Sequence, residues 1–106
     1  ETTLRDIRYQ AKAENGALWD INAAAGIFFE DINELELKNG VTLMELTRDA
    51  TMQTDSMRLY MDQKRAQGEQ AVVMTGRGSR TTGAAFELDL QSSMATLKGD
   101  VRTEYE

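Results

Sequence analysis

Residue types that could do chemistry crowd into one stretch, Thr75 to Gly83, which reads TGRGSRTTG: three glycines, two arginines and four hydroxyls in nine residues. A glycine-rich loop cradles phosphate on its backbone N–H groups when it opens a helix and carries a lysine. Gly78 and Gly83 have the spacing of such a loop, but Ala84 and Ala85 follow, and then an alternating pattern that suits a strand. The dinucleotide pattern G-x-G-x-x-G also fails, because Thr81 stands where the third glycine belongs. The stretch reads as a connection between strands, in which Gly76 and Gly83 supply positive φ or let a neighbouring strand approach closely.

The acidic candidates point no further toward catalysis. Glu30, Asp31, Glu34 and Glu36 cluster, yet a calcium loop would need an oxygen ligand at Leu35 and a glycine after it, so a solvated turn is expected. Glu87 and Asp89 share one face of a strand, and the alternation sets them opposite Phe86, Leu88 and Leu90, toward water. The chain contains no Cys and no His, which excludes a thiol nucleophile, a Ser-His-Asp triad and a Cys/His zinc site. No enzymatic activity, cofactor or metal is expected. A formal charge of -6 opposes a phosphate backbone, so nucleic acid is not an expected partner.

The elements that must position these residues are strands. The 106 residues suit a single domain, 1–106, and contain no apolar run long enough to span a bilayer. Trp19, Ile21, Ala23 and Ala25 alternate with Asp20, Asn22 and Ala24, as do Phe86, Leu88 and Leu90 with Glu87 and Asp89. Turn signals fall between such runs at Asn15-Gly16, Asn39-Gly40, Gln67-Gly68-Glu69, Gly76 to Gly83 and Lys98-Gly99-Asp100. Gly40, Gly68 and Gly99 lie 28 and 31 residues apart, which suggests a repeat of about thirty residues. FFEDINELEL and DSMRLYMDQKRAQ contain good helix formers, but Leu35/Leu37 and Met57/Leu59/Met61 alternate, and hairpins are expected there too. Without proline, the edges of the sheet must be protected by charge or by pairing.

From Thr54-Asp55 through MTGRGSRTTG to the terminal LKGDVRTEYE, the chain resembles the periplasmic domain of the LptC family of lipopolysaccharide transport proteins. The positions of Gly76 and Gly83, the alternating strand after them, and the ending with Val101, Arg102 and Tyr105 carry the likeness. Tyr9, Asn15-Gly16-Ala17-Leu18 and the Trp19 strand extend it upstream. The resemblance implies an all-β fold, an open antiparallel β-jellyroll shaped as a V, with an apolar interior for lipid acyl chains. It also implies an N-terminal transmembrane helix in the full-length protein, which this sequence lacks, and hence a periplasmic domain of a protein anchored in the inner membrane. The implied partners are lipopolysaccharide, the inner-membrane transporter complex, and an LptA-like periplasmic bridge protein that meets an edge strand.

On this reading the alternating apolar set forms the groove: Trp19, Ile21, Leu35, Leu37, Leu43, Met52, Leu59, Met61, Met74, Phe86, Leu88 and Leu90, with Ala23, Val41, Val72 and Val101 beside them. Six methionines suit a pliable apolar site and equally suit an ordinary core. The partner edge is expected at Val101, Arg102, Thr103, Glu104 and Tyr105. A soluble LptA-like bridge, or a structural β-repeat module without a lipid ligand, are the alternatives.

Overall fold

Period-two alternation becomes strand throughout. The computed structural model describes residues 1–106 and contains no helix. Three long strands come first: β1 (Thr2–Lys12), β2 (Leu18–Phe29) and β3 (Glu34–Glu45). Eight short ones follow: β4 (Ala50–Thr54), β5 (Met57–Tyr60), β6 (Arg65–Gly68), β7 (Val72–Gly76), β8 (Ser79–Gly83), β9 (Ala85–Asp89), β10 (Met94–Lys98) and β11 (Arg102–Tyr105). Every pairing is antiparallel.

β3 divides the sheet. Its second half, from Val41, pairs with β4, and its first half, Glu34 to Leu37, pairs with β5. Two arms grow from there: arm one is β4-β7-β8-β11 and arm two is β5-β6-β9-β10. Between the halves, Asn39 (φ 64°) and Gly40 (φ 98°) stand against Ala24, where the β2–β3 register shifts. Asp6 (φ 50°) falls at the matching point of β1, between Arg5↔Ala25 and Ile7↔Ala23. A bulge of this kind kinks a strand and increases its twist. The three long strands turn a corner there, and the arms fold face to face into a curled open sheet, the V of a β-jellyroll.

The corner explains the thirty-residue spacing. The chain passes from arm two to arm one within β3 at Gly40, after β6 at 69–71, and after β10 at 99–101. Gly40, Gly68 and Gly99 mark those three crossings, so the repeat is one winding of the chain around both arms. Asn39-Gly40 is therefore a mid-strand bulge and not the hairpin turn expected from its sequence. The actual hairpin turns include 30–33, 46–49, 61–64 and 90–93, none of which contains glycine. Each ends in a left-handed residue: Asn33, Asp49, Lys64 and Ser93. The segments FFEDINELEL and DSMRLYMDQKRAQ are strands around two of these turns.

One glycine expectation needs correction. Gly76 has no positive φ, and a Cβ there would meet nothing nearer than Ser79 Oγ at 3.7 Å. The left-handed residue of that hairpin is Gly78 (φ 69°), in the tight turn itself. Gly83 is crowded as expected, for a Cβ would lie 3.2 Å from both Leu97 Cβ and the Lys98 carbonyl oxygen.

Candidate functional site

The inward faces of the two arms meet in one apolar interior. In arm one, Ile21, Leu43, Met52 and Met74 lie opposite one another across β2, β3, β4 and β7, and the row continues to Thr81 and Thr103. In arm two, Leu35, Leu59, Ala66, Leu88 and Ala95 form one row. Leu37 and Met57 pair in the neighbouring row, which resumes as Gly68, Phe86 and Leu97. Of the expected groove residues, Trp19, Ile21, Leu35, Leu37, Leu43, Met52, Leu59, Phe86, Leu88 and Leu90 all join one buried cluster. Met61 and Met74 pack against it while half-buried, Met61 from the turn after β5. The cluster is filled: Ile21, Leu37, Leu43, Met52 and Leu59 are fully buried. At roughly 1.5–3 kcal/mol for each large aliphatic side chain, this burial dominates the fold.

Sequence parity missed residues whose role depends on a partner far along the chain. Ala66 is core, and Leu97 and Ala95 pack on it, while Met57, left out of the groove set although it alternates in step with Leu59, is core as well. A Cβ on Gly68 would lie 2.3 Å from the Phe86 ring, so the absence of a side chain at 68 makes the seat for Phe86. Gly26 similarly leaves room for Ile7 and for the Glu36 carbonyl oxygen. Nothing local to either glycine announces this.

The buried polar groups have their partners in place. Asp20 accepts from Arg8 Nε at 3.0 Å and Nη2 at 3.2 Å. The Glu45 carboxylate, almost wholly buried, accepts from the Thr47 hydroxyl and the Arg48 backbone N–H. Trp19 Nε1 donates to Ser93 Oγ at 2.8 Å, linking β2 to the β9–β10 turn. Every buried side-chain nitrogen and oxygen has a partner.

Of the acidic candidates, Glu30, Glu34, Glu36 and Glu87 each have a side-chain partner. Glu34 and Glu36 hold Arg58 at 3.4 and 3.1 Å, and the Arg58 guanidinium lies 4.8 Å above the Phe29 ring centroid. Glu30, in the turn, accepts from Thr2 Oγ1, and that hydrogen bond holds its carboxyl below the usual range. Glu87 points outward and meets Lys98 Nζ at 2.9 Å; that hydrogen bond keeps its carboxyl below the usual range.

The far end of the sheet is unpaired. β10 pairs only with β9, and β11 only with β8. Val101 and all of β11 are exposed, Tyr105 at 82%. Glu106 N donates to the Gly78 carbonyl, and the register sets Arg102 opposite Thr82 and Glu104 opposite Arg80. Hydrogen-bonded pairs alternate in an antiparallel ladder. The backbone of Arg102 and Glu104 therefore faces β8, and that of Thr103 and Tyr105 faces the free edge.

A family model described as lipopolysaccharide-assembly, LptC-related, matches residues 1–106. No curated protein matches the chain.

Proposed function

This chain belongs to the LptC family, whose role is lipopolysaccharide transport, and from that membership we propose that it holds lipopolysaccharide by its acyl chains between the two arms and passes it on along β11. The observation that carries this reading is the shape of the interior. It is one continuous apolar row set, joined covalently along the corner and left unpaired between β10 and β11. An interior closed on all sides by ladder hydrogen bonds could not part; this one can hinge about the corner. Each methylene of an acyl chain buried there contributes about 0.8 kcal/mol, which offsets what the parting arms expose. A net charge of -6 gives anionic head groups no general attraction, so the head group stays at the rim while the chains bind.

Hand-over to an LptA-like protein fits the free edge of β11. Its Thr103 and Tyr105 backbone groups are unpaired, and a partner strand added there would extend arm one. The opposite free edge, β1, which pairs only with β2, is left for the inner-membrane transporter. No helix is long and apolar enough to cross a membrane, so attachment to that membrane would run through such contacts or through a segment outside these residues.

Met74 and Val73 are neighbours on β7 with opposite facing, Met74 inward and Val73 on the outer face of arm one. A benzophenone side chain at Met74 should capture purified lipopolysaccharide on irradiation, and one at Val73 should not. Equal capture at both, or none at either, would exclude binding between the arms. The second outcome would favour a structural module without lipid.

A further inference from the structure

The two arms meet along two lines that differ in kind. Along the corner the chain itself crosses repeatedly, and hydrogen bonds such as Gly40 N to the Asp55 carbonyl and Thr54 Oγ1 to the Ala71 carbonyl secure it. Along the opposite line, where the far ends of the arms come together, no strand crosses. The β1–β2 turn of arm one rests there on the β9–β10 turn of arm two. Two hydrogen bonds join them: Glu14 N to the Gln91 carbonyl at 2.8 Å, and Trp19 Nε1 to Ser93 Oγ at 2.8 Å.

The β1–β2 turn is a small rigid body in its own right. Ala13 N donates to the Ala17 carbonyl, Gly16 N to the Ala13 carbonyl, and Ala17 N to Asn15 Oδ1. Gly16, at φ 89°, supplies the left-handed residue that closes it. Ala13 and Ala17 are buried, as are Trp19 behind them and Leu90 across the seam. A turn that holds its own shape can leave its seat without unfolding. What it then uncovers is Trp19 and Leu90, the outermost members of the apolar interior.

Resting on the acyl-chain reading above, we propose that this turn is a lid and that the pair Glu14–Gln91 and Trp19–Ser93 is its latch, which must open for a chain to enter between the arms. The corner is the hinge, since only there are the arms covalently continuous. Trp19 is both latch and lining: its ring belongs to the buried cluster, and its N–H holds the opposite turn. An entering acyl chain replaces the apolar contacts of the ring, while water replaces Ser93 as the acceptor for its N–H. No such exchange is available at the corner.

The chain has no cysteine and one tryptophan, which makes both a staple and a reporter specific. The double variant Glu14→Cys/Gln91→Cys, closed by oxidation or, where the thiols do not join, by a short bis-maleimide, should lose capture of lipopolysaccharide by a benzophenone at Met74. Reduction of the disulfide, or omission of the linker, should restore capture to the level of the cysteine-free protein. In the open form alone, lipopolysaccharide should move Trp19 emission to longer wavelength as the indole leaves its seat. Ser93→Ala, with half the latch removed, should load faster. Undiminished capture by the stapled protein would overturn the lid while leaving lipid binding intact. Absence of capture in the open and cysteine-free proteins would overturn lipid binding and the lid with it.

Discussion

The two arms have the same number of strands and the same winding, yet they are finished differently. Arm two is fastened on both faces. Inside it carries Leu35, Leu59, Leu88 and the Phe86 ring seated on Gly68. Outside it carries the Glu34–Arg58–Glu36 bridge, the Arg58–Phe29 stack and the Glu87–Lys98 pair. The outer face of arm one runs Thr42, Gln53, Val73 and Thr82, with ion pairs only at the two ends of that row, Arg8–Asp20 and Arg102–Asp100. Its inner row decays from Met52 and Met74 to Thr81 and Thr103, which share a hydroxyl hydrogen bond at 3.0 Å. Both arms end in a strand with one free edge, but β10 packs Ala95 and Leu97 on the core, whereas β11 is exposed along its whole length and has little to bury. Such a strand is kept by its ladder and whatever joins it.

This contrast can be broken first in the core. Phe86→Ala in arm two should cost about 3–5 kcal/mol by urea unfolding, as a fully buried aromatic does, while Met74→Ala, half-buried in arm one, should fall near or below the low end of the roughly 2–5 kcal/mol expected of buried methionine. Equal losses would mean that the arms share one uniformly packed interior.

β11 offers the next test, because the structure settles a parity that sequence left open. Arg102→Pro removes an N–H that faces β8 and should lower stability by roughly 0.5–1.5 kcal/mol, the net worth of one ladder hydrogen bond to the half-buried Thr82. Thr103→Pro removes an N–H that faces the free edge. It should melt close to the parent, giving up only the exposed hydroxyl hydrogen bond to Thr81, and lose pull-down of an LptA-like partner. If Thr103→Pro binds normally, arm one is not completed through this edge.

An effect on stability alone separates the two glycines of the TGRGSRTTG stretch. Gly83→Val should cost about 1–3 kcal/mol, because the added side chain meets the β10 backbone. Gly76→Val, in an extended conformation with open space around it, should change the melting temperature little. A large loss at Gly76 would mean that the β7–β8 hairpin is tighter than its geometry indicates.

The least effect is electrostatic and belongs to arm two. Glu87 is held below its unfolded pKa by Lys98, so the stabilisation is present above the unfolded value of about 4.3 and disappears as pH falls through the folded one. Lys98→Met should remove that slope from the acid limb of the melting curve and return the Glu87 carboxyl titration, followed by NMR, to the ordinary range. An unchanged titration would show that Lys98 does not fix Glu87.

By itself the sequence determined which side chains face inward along each strand. A strand turns alternate residues to opposite faces, so Trp19/Ile21/Ala23, Leu35/Leu37 and Phe86/Leu88/Leu90 had no other way to be buried. It also determined what the chain lacks for chemistry, since no arrangement makes a triad or a thiolate without histidine or cysteine. Only the tertiary structure decided the rest. Asn39-Gly40 carries the dipeptide of a hairpin, yet β3 runs on through it, because the flanking halves of β3 both stay paired with β2 while taking different partners, β4 and β5, on the other side. Gly68 seats Phe86 because β6 pairs with β9, eighteen residues further along. Trp19 finds Ser93 across 74 residues because the two arms fold face to face. Periodicity is a property of neighbours in the chain and survives in any sheet. Register between distant strands is set by how the whole interior fills, and no local pattern encodes it.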